Sequence, residues 1–137
     1  MLSIGVDAHK RIHVAVALDA AGRVVDRWRG SNSPEGWQSV WQWAIQLGGG
    51  SRQWGIEGAW NYGRGLAQCL VAGGEAVFEI NPRWTAAGRR RARNRGKSDP
   101  LDAQAVALWV WRESATLPRV SADDHTVVLD LLVTERQ

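Results

Sequence analysis

Three strand-type runs fill the first 28 residues, and the links between them are too short to hold a helix. Residues 2–7 are mostly apolar and end in Asp7. Residues 12–18, IHVAVAL, are rich in β-branched side chains, and Arg23 to Trp28 form a third run after the turn chemistry of Asp19 to Gly22. Strands joined by short links pair antiparallel, because a parallel partner needs a crossover of roughly a dozen residues or more. The chain therefore begins as a three-stranded meander.

The pattern then changes to a helical period. Ser33-Pro34-Glu35 reads as a helix start, with Ser as cap and Pro at the first helical position. Trp37, Val40, Trp41, Ala44 and Ile45 follow at helical spacing, and Gly48-Gly49-Gly50 stops the run. Gln53 to Glu57 is a short strand, residues 61–72 a helix with Leu66, Leu70 and Val71 on one side, and residues 75–80 a fifth strand. Asn81 to Lys97 reads as a short helix and a loop. Ser98 caps a helix to about Glu113, packed by Ala105, Leu108, Trp109 and Arg112. After Leu117-Pro118, Ser121 opens a last helix with Asp124 in capping-box position and an apolar stripe of Val127, Val128, Leu131 and Leu132. The order βββαβαβ, then helices, predicts an α/β fold: a mixed five-stranded sheet, its first three strands antiparallel, flanked by helices.

With 137 residues the chain has the size of one domain, and an apolar content of 45% supports a real core. We place the main domain at 1–117 and read 118–137 as the start of a helix leading away from it. The single cysteine, Cys69, excludes an internal disulfide framework and a cysteine-built zinc site, and its position on an apolar helix face reads as a core thiol. No apolar run reaches the ~20 residues that span a bilayer, and the N-terminus lacks a signal-peptide layout, so a cytoplasmic protein with no membrane partner is expected. The nine tryptophans read first as packing residues, and base stacking is a second reading for Trp60 and Trp84, which lie beside the charged motifs.

Charge is uneven. The formal net charge is +3, but seven of the 17 cations lie between Arg83 and Lys97 with no acid among them: Arg83, Arg89, Arg90, Arg91, Arg93, Arg95 and Lys97. Arginine favours bidentate contact with phosphate. These residues, with Lys10, are the candidate nucleic-acid contacts.

Four acids stand apart. Asp7 ends the first strand and Glu57 the fourth; Asp99 and Asp102 are one helical turn apart in GKSDPLDA. If strands one and four run parallel and adjacent, Asp7 and Glu57 emerge side by side at the carboxyl edge, where open α/β sheets place their sites. Singly, each acid is adequately explained as a cap, a turn residue or a first-turn acid favoured by the helix dipole. Together they would repel unless hard divalent cations, Mg²⁺ or Mn²⁺, held them, and two such ions promote phosphodiester cleavage. His9 reads first as a turn residue at the site edge, and secondarily as a ligand or general acid/base. His13 and His125 read as structural.

The stretches GVDAHKRIHVAVALDAAGRVV, GIEGAWNYGRGLAQCL and EINPRWTAAGRRRARNRGKSDPLDAQAVA resemble the N-terminal domain of the DEDD transposases, the insertion-sequence 110 family, related to Piv-type DNA invertases. The resemblance implies a RuvC-like, RNase H-type fold and a catalytic, metal-binding tetrad at Asp7, Glu57, Asp99 and Asp102. It implies DNA transposition and recombination directed by a bridge RNA, with a homo-oligomer as the working form. It also implies that LLVTERQ leads into a coiled coil and then a C-terminal domain with a serine nucleophile. The chain departs from the family at Ala59-Trp60-Asn61, where a small Thr-Gly-type turn is usual, and it stops at Gln137. The expectation is a domain that binds metal and nucleic acid but does not recombine DNA alone. The rival is an inactive remnant that only binds DNA or RNA. A sugar-kinase or actin-like ATPase fits poorly, because Ala8-His9-Lys10 replaces the glycine and threonine that would hold phosphates.

Overall fold

The strand-type runs pair as their short links require. The computed structural model describes residues 1–81 and 99–123, with the backbone alone for 99–101. Strands β1 (Leu2–Ala8), β2 (Ile12–Leu18) and β3 (Val24–Ser31) form the antiparallel meander. Helix α1 (Pro34–Gln46), β4 (Arg52–Glu57), α2 (Arg64–Ala72), β5 (Ala76–Ile80), α3 (Asp99–Glu113) and a 3-10 turn (Ser114–Thr116) follow. The five-stranded sheet has the order β3-β2-β1-β4-β5, with β4 parallel to both β1 and β5. Among the described residues no helix is long and apolar enough to cross a membrane.

Local chemistry sets the element ends. The Ser33 hydroxyl accepts a hydrogen bond from the Gly36 amide at 3.2 Å, which caps α1 as its sequence requires. Gly48, Gly49 and Gly50 take positive φ and end that helical run. Helix α2 starts at Arg64, not at residue 61, because the Asn61 and Gly63 amides both turn back to the Gly58 carbonyl, at 3.0 and 2.8 Å. Strand β3 runs past Trp28 to Ser31, which pairs with Ile12.

Alternation divides the core between the two sheet faces. Ile4, Val6, Ala15, Ala17, Trp54 and Ile56 pack under α1 and α2. Val14, Val16 and Leu18 pack under α3 with Ala103 and Ala107. Trp28, Trp37, Trp41 and Trp43 pack at the margin of the first cluster, and Trp54 is wholly buried. The Trp54 indole N–H donates to Glu75 at 2.8 Å, and Arg52 grips the same carboxylate with two hydrogen bonds. Cys69 is half-buried rather than in the core: its Sγ accepts from Gln38 at 3.7 Å, and burial pushes the thiol pKa up.

Helix α3 lies closer to the sheet than ordinary side chains permit. A Cβ built on Gly5 would collide with the backbone of Ala103 and Ala107. On Gly55, the partner of Gly5 on β4, it would lie 3.1 Å from the Val110 side chain. The buried stripe of α3 is Ala103, Val106, Ala107 and Val110, not the expected Ala105, Leu108, Trp109 and Arg112. Small residues over a glycine pair allow this approach, whereas Leu108 and Trp111 pack at its flank and Arg112 is exposed.

Residues 118–123 run beside β5. The Val120 amide donates to the Val77 carbonyl at 2.8 Å, and the Glu79 amide to the Pro118 carbonyl at 2.9 Å. Ser121 to Asp123 are not helical; Gln68 hydrogen-bonds both, and Arg64 ion-pairs with Asp123. The basic run 83–97, Trp84, the Ser98 cap and the rest of the helix expected beyond Ser121, with His125 and its apolar stripe, lie outside the described residues.

Two outcomes follow from this packing. Gly5→Ala should cost about 3 kcal/mol or more in urea denaturation, since α3 must lift off the sheet. Gly50→Ala, with open space around it, should cost only about 1–2 kcal/mol of backbone strain. Equal costs would contradict the close seat. His13 is buried, and burial, opposed by its contact with the Ile12 carbonyl, lowers its pKa. The unfolded chain then binds the proton more readily. This contribution is complete above the unfolded value of about 6.5 and is lost as pH falls through it. The denaturation midpoint should therefore drop less between pH 7.5 and 5.5 in His13→Gln than in the wild type; an equal drop would refute the assignment.

Candidate functional site

Three rows of side chains face α3 across β1 and β4. Ser3 pairs with Gln53, Gly5 with Gly55, and Asp7 with Glu57. The first row is closed by the Gln53 amide, which donates to Ser3 Oγ at 3.0 Å and to the Val110 carbonyl at 3.3 Å. The second row seats the helix. The third row puts two carboxylates on adjacent parallel strands at their carboxyl ends, which fulfils the geometric condition set by the sequence.

Helix α3 runs antiparallel to β1 across this face. Ala103 and Ala107 lie over Gly5, while Val110 lies over Gly55 and reaches Gln53 near the start of β4. Its N-terminal turn therefore points to the carboxyl edge. From the Gly5 contact, Asp102 lies about 4.5 Å along the helix axis and Asp7 about 6.6 Å along the strand, in the same direction. Asp7 and Asp102 are both buried, at 4% and 3% exposure, and Glu57 is half-buried. Asp99 is the first residue of α3, one turn before Asp102; its side chain lies outside the described residues. Among the described residues, no three His, Cys, Asp or Glu side chains stand close enough together to hold a metal ion. The fold thus brings Asp7 and Glu57 side by side and Asp102 to the same edge, without closing them into a ligand group.

His9 does more than turn the chain. Its Nε2 lies 2.9 Å from Asp7 Oδ2, although the imidazole is 46% exposed. A buried carboxylate needs such a partner, since burying a charge without compensation is costly. Lys10, the next residue, is exposed at the same edge. Of the expected phosphate contacts it alone lies among the described residues.

Sequence reasoning missed Asn32. Its amide N–H donates to the Arg11 carbonyl at 2.8 Å, and its Nδ2 to the carbonyls of Lys10 at 3.0 Å and Tyr62 at 3.2 Å. Its Oδ1 accepts from the Trp37 indole at 2.9 Å. One side chain thus ties the turn after Asp7 to the turn after Glu57 and anchors both on α1. No local pattern marks it, because the two turns it ties together lie 22 and 30 residues away in the sequence. Trp60 follows Glu57 closely and is 51% exposed, with its indole N–H on Glu79 at 2.9 Å.

Comparison with known proteins agrees with this architecture. The chain is similar to Thermus thermophilus RuvC in complex with a Holliday junction substrate, at a TM-score of 0.61 and 14% identity, over 88% of this chain and 99% of that one. It is similar to a second Thermus thermophilus RuvC structure at a TM-score of 0.59 and 15% identity, over 88% and 100% of the two chains. At such identity the likeness establishes the fold, RuvC-like and hence RNase H-like. No curated protein matches the sequence. Residues 4–137 match the profile of the DEDD transposases of insertion-sequence 110 type, whose description is "transposase". A match over nearly the whole chain, on a RuvC-like sheet, leads to one conclusion: the chain belongs to the DEDD transposase family.

Proposed function

We propose that this chain is the metal-dependent catalytic part of a DNA transposase or recombinase. It holds Mg²⁺ or Mn²⁺ on Asp7, Glu57, Asp102 and Asp99, and takes part in cutting and rejoining DNA in the cytoplasm, guided by an RNA. The observation that carries this reading is the pairing of Asp7 with Glu57 on one sheet face, beneath the end of α3 that bears Asp102 and Asp99. The donor set fits the group: the carboxylates are hard oxygen ligands, suited to Mg²⁺ or Mn²⁺. The reading requires the carboxylates to close on the ion when it binds.

A divalent ion bound there supplies Lewis-acid activation of the attacking hydroxyl and stabilises the leaving oxygen of a phosphodiester. The chain's own residues do the positioning. His9 holds Asp7 Oδ2 at the edge of the site. Asn32 fixes the two turns that frame the carboxylate pair. Lys10 and the cations of 83–97 offer phosphate contacts for DNA or a guide RNA. Strand exchange also needs a nucleophile that conserves the phosphodiester energy. We assign that role to a serine outside this chain, within a homo-oligomer of the full protein.

Mn²⁺ at 100 times its dissociation constant should stabilise the wild type by about 2.7 kcal/mol, read as a rise in melting temperature. Asp7→Asn and Asp102→Asn should abolish the rise, and a labelled duplex should be nicked only by the wild type with metal. An equal thermal response in all three proteins would overturn the metal assignment. A metal response without nicking would favour a binding module.

A further inference from the structure

The edge strand β3 carries two arginines that the charge pattern of the sequence did not bring forward. Arg27 and Arg29 are exposed, and no described carboxylate is ion-paired with either. Their face is fixed by register. Asp26 and Trp28 turn to α1, where Asp26 accepts from the Trp43 indole at 2.9 Å and Trp28 joins the core. Arg27 and Arg29 alternate with them and so face the α3 side, the side of Asp7 and Glu57. Arg29 pairs with Val14, Val14 with Asp7, and Asp7 with Glu57, which places all four on one row across the sheet. Arg27 stands on the next row, that of Val16 and Gly5.

We infer that Arg29 and Arg27 form a track for a phosphodiester backbone, leading over the outer edge of the sheet to the carboxylate pair. This rests on the reading of the site as one that acts on DNA. Two strand spacings put the Arg29 backbone about 9.6 Å from that of Asp7. Phosphates of one strand advance about 3.4 Å each along the duplex axis, so a duplex whose axis lies along this row meets Arg29 about three nucleotides from the phosphate at Asp7. Arg27 follows about 6.8 Å further along β3. The guanidinium groups suit the task, since each presents a planar donor fork to phosphate oxygens. A rigid strand holds them at fixed distance from the site, and the Val14 side chain between Arg29 and Asp7 keeps the cation from pairing with that carboxylate directly.

The test is the salt dependence of binding of the full chain to a fluorescein-labelled duplex, with Arg27→Gln/Arg29→Gln, Arg29→Lys and Arg112→Gln as variants. Arg112 is exposed near the far end of α3, about 15 Å along the helix from Asp102. The double variant should have a slope of log affinity against log salt shallower by about 1.8, or 0.9 for each lost contact. Arg29→Lys keeps the charge and should keep the wild-type slope; Arg112→Gln should also leave it unchanged. If the wild type binds the duplex and the double variant keeps its slope, or Arg112→Gln reduces the slope as much per charge, the track is wrong while the reading of the site stands. If the wild type does not bind duplex DNA at all, both fail.

Discussion

The site depends on how closely α3 can lie on β1 and β4. Gly5 and Gly55 are paired in the sheet, and both lack the side chain that would hold the helix away. The helix answers with alanines and valines along its buried stripe. Interiors are packed densely enough that a single added methyl group at such a contact is felt. Because Asp7 and Glu57 follow the glycines by one row, and Asp102 and Asp99 precede the alanines on the helix, the same contact that builds the core aligns the acids. Core packing and site geometry here are one constraint.

Around that contact the chain spends polar groups on holding turns. Asp7 is buried with His9 against it, and the turn that carries His9 and Lys10 is tied through Asn32 to the turn after Glu57. The opposite end of β4 is held by the Glu75 carboxylate, which takes hydrogen bonds from Arg52 and Trp54. The strand bearing Glu57 is thus fastened at both ends. Such fixation holds the Glu57 carboxylate at a defined edge of the sheet, beside Asp7.

Much of this was legible in the residues. The meander follows from strand-type runs with short links and the α1 cap from Ser33-Pro34, whereas the adjacency of Asp7 and Glu57 is legible only on the condition that strands one and four run parallel side by side, which the β1–β4 pairing meets. The buried face of α3 was not legible, because bulk at Leu108 and Trp109 outweighed alanine in a periodicity argument, and only the glycine pair across the interface favours the small residues. Asn32, Arg27 and Arg29 were hidden for a related reason. A clasp between distant turns has no local spacing, and two arginines on an alternating strand draw less notice than the seven crowded between Arg83 and Lys97. The sequence predicts α2 to start at residue 61, three residues early, because nothing local shows that the Asn61 and Gly63 amides turn back to the Gly58 carbonyl.

On the proposed function, the contact of α3 with Gly5 and Gly55 lets carboxylates of the sheet and the helix hold a divalent ion together. Anomalous scattering from crystals grown with Mn²⁺ tests it directly. A peak within coordination distance of the Asp7 and Glu57 carboxylates and of a carboxylate from the first turn of α3, weakened or lost in Asp7→Asn, is the predicted result. Well-ordered crystals with no peak at that edge, or with manganese bound elsewhere while the edge stays empty, would contradict it.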